Sequence, residues 1–425
     1  MMKQLAYHDV GETLYFEKLD NGLAVYLLQK RGYEKTYATF STRYGSIDNR
    51  FKSGDDFVQV PDGIAHFLEH KMFESEHGDV FQEFGRLGAS ANAFTSFSRT
   101  AYLFSATSNI EKNISTLIDF VQDPYFTPES VEKEKGIINQ EIKMYQDNPG
   151  WRLFFGLIES LYSVNPVRID IAGTTESIDK ITADDLYTCY DAFYHPSNMV
   201  LFVVGNIDPE QVLELVKNNQ SHKNYSVRNP VERDYGQEPR TVARKRFELE
   251  LDIKTPKVLI GYKDESLRGE AQLKRELTSE LLLHLLFDQT ADTYLELYEA
   301  GLIDDTFSFD YSSEEEFAFA SFGMETAEPD RFITAYEKLL SKRPNFKEAE
   351  VVRKRNMMQG KFLRALNSPE YIANQFSRHA LAGTNLFDLP HLIASITKAD
   401  VEQRFDELLV AEHRSGAIVK PRSNG

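Results

Sequence analysis

Short apolar runs alternate with longer stretches of helical period along this chain, and polar breaks separate them. GLAVYLLQK (22–30) and KTYATFSTRYGS (35–46) are rich in β-branched and aromatic residues and end in glycine or charge, so they are expected as strands. SANAFTS (90–96) and TAYLFSATS (100–108) repeat that pattern as a hairpin pair. A period near 3.6 takes over in IEKNISTLIDFVQ (110–122), TPESVEKEKGIINQEIKMYQ (127–146) and TADDLYTCYDAFY (182–194), predicting helices. A further helix is expected over 61–72. NMVLFVVGNIDPEQVLELVKN (198–218) reads as strand, turn and helix, with Pro209 near the helix start.

The pattern then lapses. Residues 218–240 are polar, hold two prolines and lack a period, which marks 221–240 as a linker. Beyond it the pattern restarts, with strands expected at 243–253 and 256–263 and an apolar helix at 276–287. Two more strands follow at 306–312 and 317–325, then helices from about 329 to 383 and near 398–410. The order echoes the first half although the residues barely repeat. The fold class is therefore α+β, with two similar domains (1–220 and 241–425), each a mostly antiparallel sheet covered by helices. A chain of 425 residues is also too long for one core.

Charge and cysteine content narrow the partners. A net charge of -18 with no long basic run argues against nucleic acid. The single cysteine, Cys189, rules out a disulfide within the chain and reads as core, between Thr188 and Tyr190. The opening MMKQLAYHDVGETLYFEK lacks the apolar stretch of a secretion signal, and no segment reaches the roughly 20 apolar residues a membrane span needs. A cytoplasmic protein without membrane association is expected.

The candidate chemistry lies in GIAHFLEHKMFES. His66 and His70 stand four positions apart, so on a helix both imidazoles face the same way and can share a metal ion. A catalytic zinc needs a third protein ligand and one open position for water. Glu69 sits beside that open position, placed to accept the water's proton and pass it to a leaving amine. Glu134 and Glu141 are two helical turns apart on the 127–146 helix and share its face, so one can bind the metal while the other orients a histidine or the water. Other histidines read as structural: His77 as a loop residue, His284 as a core histidine, His195 as a helix-end cap.

His66-Phe67-Leu68-Glu69-His70, followed by Asn92-Ala93-Phe94-Thr95 and by EKEKGIINQEIKMYQDNP, resembles the pitrilysin/insulinase family of inverzincin metallopeptidases, and most of all its bacterial processing-peptidase-like members. The resemblance implies two similar domains closing like a clamshell on a peptide. It implies one zinc per chain held by His66, His70 and Glu141, with Glu69 as general base and Glu134 as a supporting carboxylate. It also implies that Asn92, Ala93 and Thr95 lie on an edge strand that pairs with substrate by β-augmentation.

One part of the family pattern is missing. Relatives supply an arginine and, seven positions later, a tyrosine from the second half. In the matching stretch 292–311 the arginine position holds Tyr298 and the tyrosine falls near Asp305 or Thr306, with Tyr311 as a partial stand-in. No arginine occurs between Arg275 and Arg331. This predicts a metal-bearing subunit that pairs with a zinc-free homologous subunit carrying the arginine and tyrosine. Two other readings compete with a zinc endopeptidase: a scaffold subunit that keeps the fold without turnover, and a peptide-binding chaperone with a structural zinc.

Overall fold

The computed structural model describes residues 2–76 and 78–422, so the loop reading of His77 lies outside the described residues. The chain forms two compact units that are each discontinuous in sequence. The first holds residues 1–142, 170–234 and 363–387, and the second holds 143–169, 235–362 and 388–425. One changeover, between Asp234 and Tyr235, falls inside the segment expected as a linker.

The first unit is built on a seven-stranded sheet. From edge to edge its strands are Lys3–Tyr7, Glu12–Lys18, Ala24–Gln29, Met199–Gly205, Thr36–Thr42, Thr100–Ala106 and Ala89–Thr95. Only Ala24–Gln29 and Met199–Gly205 run parallel, and every other neighbour pair is antiparallel. MVLFVVG and TYATFST are buried at every position, as strands covered on both faces must be. Their β-branched and aromatic side chains suit that place. The strand Ala89–Thr95 forms one edge, pairing Ala93 with Tyr102 and Thr95 with Thr100.

The second unit carries a five-stranded sheet ordered Arg246–Leu251, Arg414–Pro421, Lys257–Asp264, Ala318–Glu325, Ser308–Ser313. Its one parallel pair is Arg246–Leu251 with Arg414–Pro421, so it matches the last five strands of the first sheet in order and direction. The expectation of two mostly antiparallel sheets covered by helices is borne out.

The repeat becomes visible residue by residue in one region. The helices Pro149–Leu161 and Pro369–Leu381 have the same length, lie 220 positions apart and begin with capping residues Asn148 and Ser368. With the same offset, buried Phe126, Val131, Ile138 and Ile142 correspond to buried Phe346, Val351, Met358 and Phe362. Both helices belong to the unit opposite to their sequence half: Pro149–Leu161 packs on Arg414–Pro421 and Lys257–Asp264, and Pro369–Leu381 packs on Met199–Gly205 and Thr36–Thr42. In the second unit, Gly156 is needed because any Cβ there would run into the Phe247 ring.

Candidate metal centre

The helix Ile64–Lys71 places the histidines. It starts at Gly63, whose φ of 86° is the left-handed conformation that glycine tolerates and other residues resist. A Cβ on Gly63 would also lie 2.5 Å from the Ala172 carbonyl oxygen, so the helix begins pressed against a neighbouring turn. Ile64, Phe67 and Leu68 are buried and fix the helix rotation, which leaves His66 and His70 on a partly open face with ring centroids 4.6 Å apart. Lys71 is completely buried and its ammonium pairs with Glu74.

The helix Pro128–Gln146 brings the carboxylates. Val131, Ile138 and Ile142 form its buried face, and Glu134 and Glu141 lie beside that face, two turns apart. One Glu141 oxygen is 3.8 Å from His66 Nε2 and the other is 3.6 Å from His70 Nε2. Glu134 lies on the other side of His70, with Oε1 3.0 Å from Nδ1. One ligand atom from each of His66, His70 and Glu141 falls within 4.8 Å of the other two. Among the described residues this is the one group of three such side chains so placed.

Ligands held at about 2.0–2.1 Å around a tetrahedral ion lie about 3.3 Å from each other. The two separations from Glu141 to the histidines are only slightly wider, and two imidazoles with one carboxylate are a donor set that zinc accepts. The contact of Glu134 with the second nitrogen of His70 is the support that metal-bound histidines usually receive. The residues fit a zinc ion.

The electrostatics agree with that arrangement. Burial, followed by the adjacent His70 ring, pushes the His66 imidazole down to about 4, so it is neutral at pH 7 and offers a lone pair. His70 is held above its ordinary value, because the Glu134 hydrogen bond and three carboxylate charges outweigh its burial. Glu69 is buried, and that burial raises its carboxyl above the ordinary range despite a hydrogen bond from Thr95. Thr95 Oγ1 donates to Glu69 Oε2 at 2.8 Å.

Of the residues expected to meet a peptide, Asn92 and Ala93 lie on the edge strand, where Asn92 is exposed and its Oδ1 accepts the Ala93 N–H at 2.9 Å. Thr95 is committed to Glu69. Tyr311 is no stand-in for a missing tyrosine: it is buried and its hydroxyl lies 2.6 Å from Asp264. Tyr298 is exposed. Cys189 is buried, which raises its thiol to about 12, as a core residue requires. His195 caps a turn by accepting the Ser197 N–H. His284 lies edge-on to Phe309 with Nδ1 3.4 Å from Asp288.

The 220-residue offset explains why the second unit has no such group among its described residues: Lys354 and Lys361 occupy the positions of Glu134 and Glu141. Lys354 pairs with Asp288 at 3.1 Å. His284 is pushed down to about 4 by burial and then by the Lys361 charge, against the opposing pull of Asp288.

Two family models match the chain: one described as the insulinase family, peptidase family M16, over residues 59–175, and one described as the peptidase M16 inactive domain over 180–358. An uncharacterised zinc protease of Bacillus subtilis, YmfH, is 52% identical over 430 residues, covering 100% of both chains. A crystal structure of an M16-like protein from Alicyclobacillus acidocaldarius superposes with a TM-score of 0.93 at 36% identity, covering 97% of this chain and 99% of that one. A protease from Helicobacter pylori shares the fold, with a TM-score of 0.82 at 18% identity over 99% of each chain.

Proposed function

The chain belongs to the insulinase family, peptidase family M16, and we propose that it is a zinc-dependent endopeptidase acting on peptides or unfolded segments. The observation that carries this reading is the convergence of His66, His70 and Glu141 on one point, with Glu69 beside them on the same helix turn. His66 and His70 hold one zinc through their Nε2 atoms and Glu141 through its carboxylate. Zinc in such a site supplies Lewis acidity, which acidifies water and polarises a carbonyl. Glu134 accepts the Nδ1 proton of His70 and so fixes the ring and its tautomer. Glu69 takes a proton from the attacking water and delivers it to the departing amine. Its buried surroundings, which favour the neutral form, help it carry that proton between the two steps. Asn92 and Ala93 offer the edge of the sheet to an extended peptide backbone.

The chain works as the metal-bearing member of a heterodimer. Its own sequence has no arginine from 276 to 330, and Tyr311 is engaged with Asp264. A zinc-free homologous subunit therefore supplies the arginine and tyrosine for the developing oxyanion. No helix among the described residues is long and apolar enough to cross a membrane, and a cytoplasmic location belongs to the same reading. The missing arginine also favours a second reading, a peptide-holding subunit without turnover. Digestion of an unstructured peptide library with and without chelator separates the two. Cleavage that chelator abolishes supports the peptidase, and binding without cleavage, in the presence of any homologous partner, supports the holder.

A further inference from the structure

We propose that Thr95 is a positioning residue for Glu69, and not a residue that contacts the peptide. This rests on the reading of Glu69 as the general base.

Thr95 Oγ1 lies 2.8 Å from Glu69 Oε2 and 3.4 Å from Thr100 Oγ1. Thr100 Oγ1 donates its own proton to the Tyr44 carbonyl at 2.9 Å. Thr100 thus has no proton to give Thr95, and a carboxylate oxygen can only accept. The Thr95 proton belongs to the shorter contact, on Glu69. One carboxylate oxygen is thereby fixed by the Thr95 side chain, and the Thr95 backbone amide acts on the same carboxylate.

The backing of this contact is rigid. Thr95 and Thr100 are directly opposed across the antiparallel pair. Thr100 is completely buried, with fully buried Tyr102 and Tyr194 behind it, their hydroxyls 2.7 Å apart. Glu69 is itself buried, on a helix whose start is clamped at Gly63. A buried carboxylate beside a reaction centre loses rate if its rotation is free, because proton transfer needs the oxygen within hydrogen-bond reach of the water. The Thr95 donor removes that freedom. A side chain whose one proton is spent in this way has none for a substrate carbonyl.

The test uses the zinc-loaded full chain on a quenched-fluorescence unstructured peptide, with Thr95→Val and Thr95→Ser compared to wild type. Loss of one hydrogen bond to a charged group corresponds to a fall of about 10–100-fold in kcat for Thr95→Val. KM and zinc content stay at wild-type values, and Thr95→Ser, which keeps the donor, recovers most of the rate. A second measurement needs no turnover. In a Glu69→Gln background that holds peptide uncleaved, adding Thr95→Val leaves the peptide Kd unchanged. If Thr95→Val raises KM at constant kcat, weakens that Kd, or loses zinc, Thr95 is a substrate or structural residue and the proposal fails. Equal rates for Thr95→Val and wild type overturn it too. Failure of the underlying reading looks different: Glu69→Gln would then hydrolyse peptide as fast as wild type.

Discussion

The Glu134 carboxylate lies 3.0 Å from Nδ1 of His70, on the side of the ring opposite the nitrogen that faces Glu141. One helix therefore supplies both a proposed ligand, Glu141, and the carboxylate that aims a second, His70. Glu134→Gln keeps the shape but loses the charge, so zinc affinity falls by about 10–100-fold. Glu141→Gln removes a ligand and costs more. Competition with a graded chelator ranks the two, and equal zinc retention in both variants would contradict the division of roles.

Glu69→Gln separates binding from chemistry. The amide cannot accept the water's proton, so hydrolysis falls by orders of magnitude while zinc stays bound. Peptide turnover and metal content measured on the same sample check this. Wild-type turnover in the variant would place the base elsewhere.

The histidine helix depends on Gly63. Gly63→Ala forces a Cβ into a left-handed residue that already touches Ala172, at a cost of about 1–3 kcal/mol. The thermal midpoint drops and chelator strips zinc more readily. An unchanged midpoint would mean that the turn at Asp62–Gly63 relaxes without cost.

The pH dependence of stability is clearest in the second unit. Burial would raise the Glu238 carboxyl, but the Lys263 ammonium and the amides of Ser163, Val164 and Asn165 outweigh it and hold the group below its ordinary value. A carboxyl depressed in the folded state stabilises above its unfolded pKa, near about 4.3, and loses that contribution as pH falls through the folded value. Glu238→Gln is expected to cost about 1–3 kcal/mol at pH 7, with the gap to wild type closing in acid below that range. Urea denaturation at neutral and acid pH reads the difference, and a gap that persists in acid would contradict it.

Much of this was legible in the sequence. Strong periods over 110–122, 127–146 and 182–194 fall on the helices Ile110–Val121, Pro128–Gln146 and Ala183–Phe193. The spacing of His66 and His70 and of Glu134 and Glu141 put each pair on one helix face. The misses have physical causes. The strand Lys3–Tyr7 is exposed along most of its length and Glu12–Lys18 is only partly buried, so they carry little apolar signal. The strand Arg414–Pro421 sits inside a sheet, yet RSGAIVKP is mixed in character and near the chain end. The helix Pro149–Leu161 is apolar around much of its surface because it packs on the sheet of the second unit, to which it belongs although it lies in the first half of the sequence, and no local pattern reveals that. The repeat at an offset of 220 was missed because only buried positions keep it, while Glu134 and Glu141 become Lys354 and Lys361. Thr95 looked like a strand residue facing substrate, since its contact with Glu69 joins parts of the chain 26 positions apart.

A partner should raise the rate. Removal of a transition-state donor commonly costs about 10²–10³, so the isolated chain turns over slowly. Addition of a zinc-free homologous subunit bearing the arginine and tyrosine increases peptidase activity at least about ten-fold. Mutation of that arginine removes most of the gain. Full activity from the chain alone, unchanged by such a subunit, would contradict the heterodimer.

The most direct test of the metal centre is zinc stoichiometry by native mass spectrometry on wild type, His66→Ala and Glu69→Gln. The convergence of His66, His70 and Glu141 predicts about one zinc per chain in wild type and in Glu69→Gln, and almost none in His66→Ala, because two remaining ligands hold the ion poorly. Zinc retained at full stoichiometry in His66→Ala, or a wild type that binds none when zinc is supplied in excess, would contradict the account.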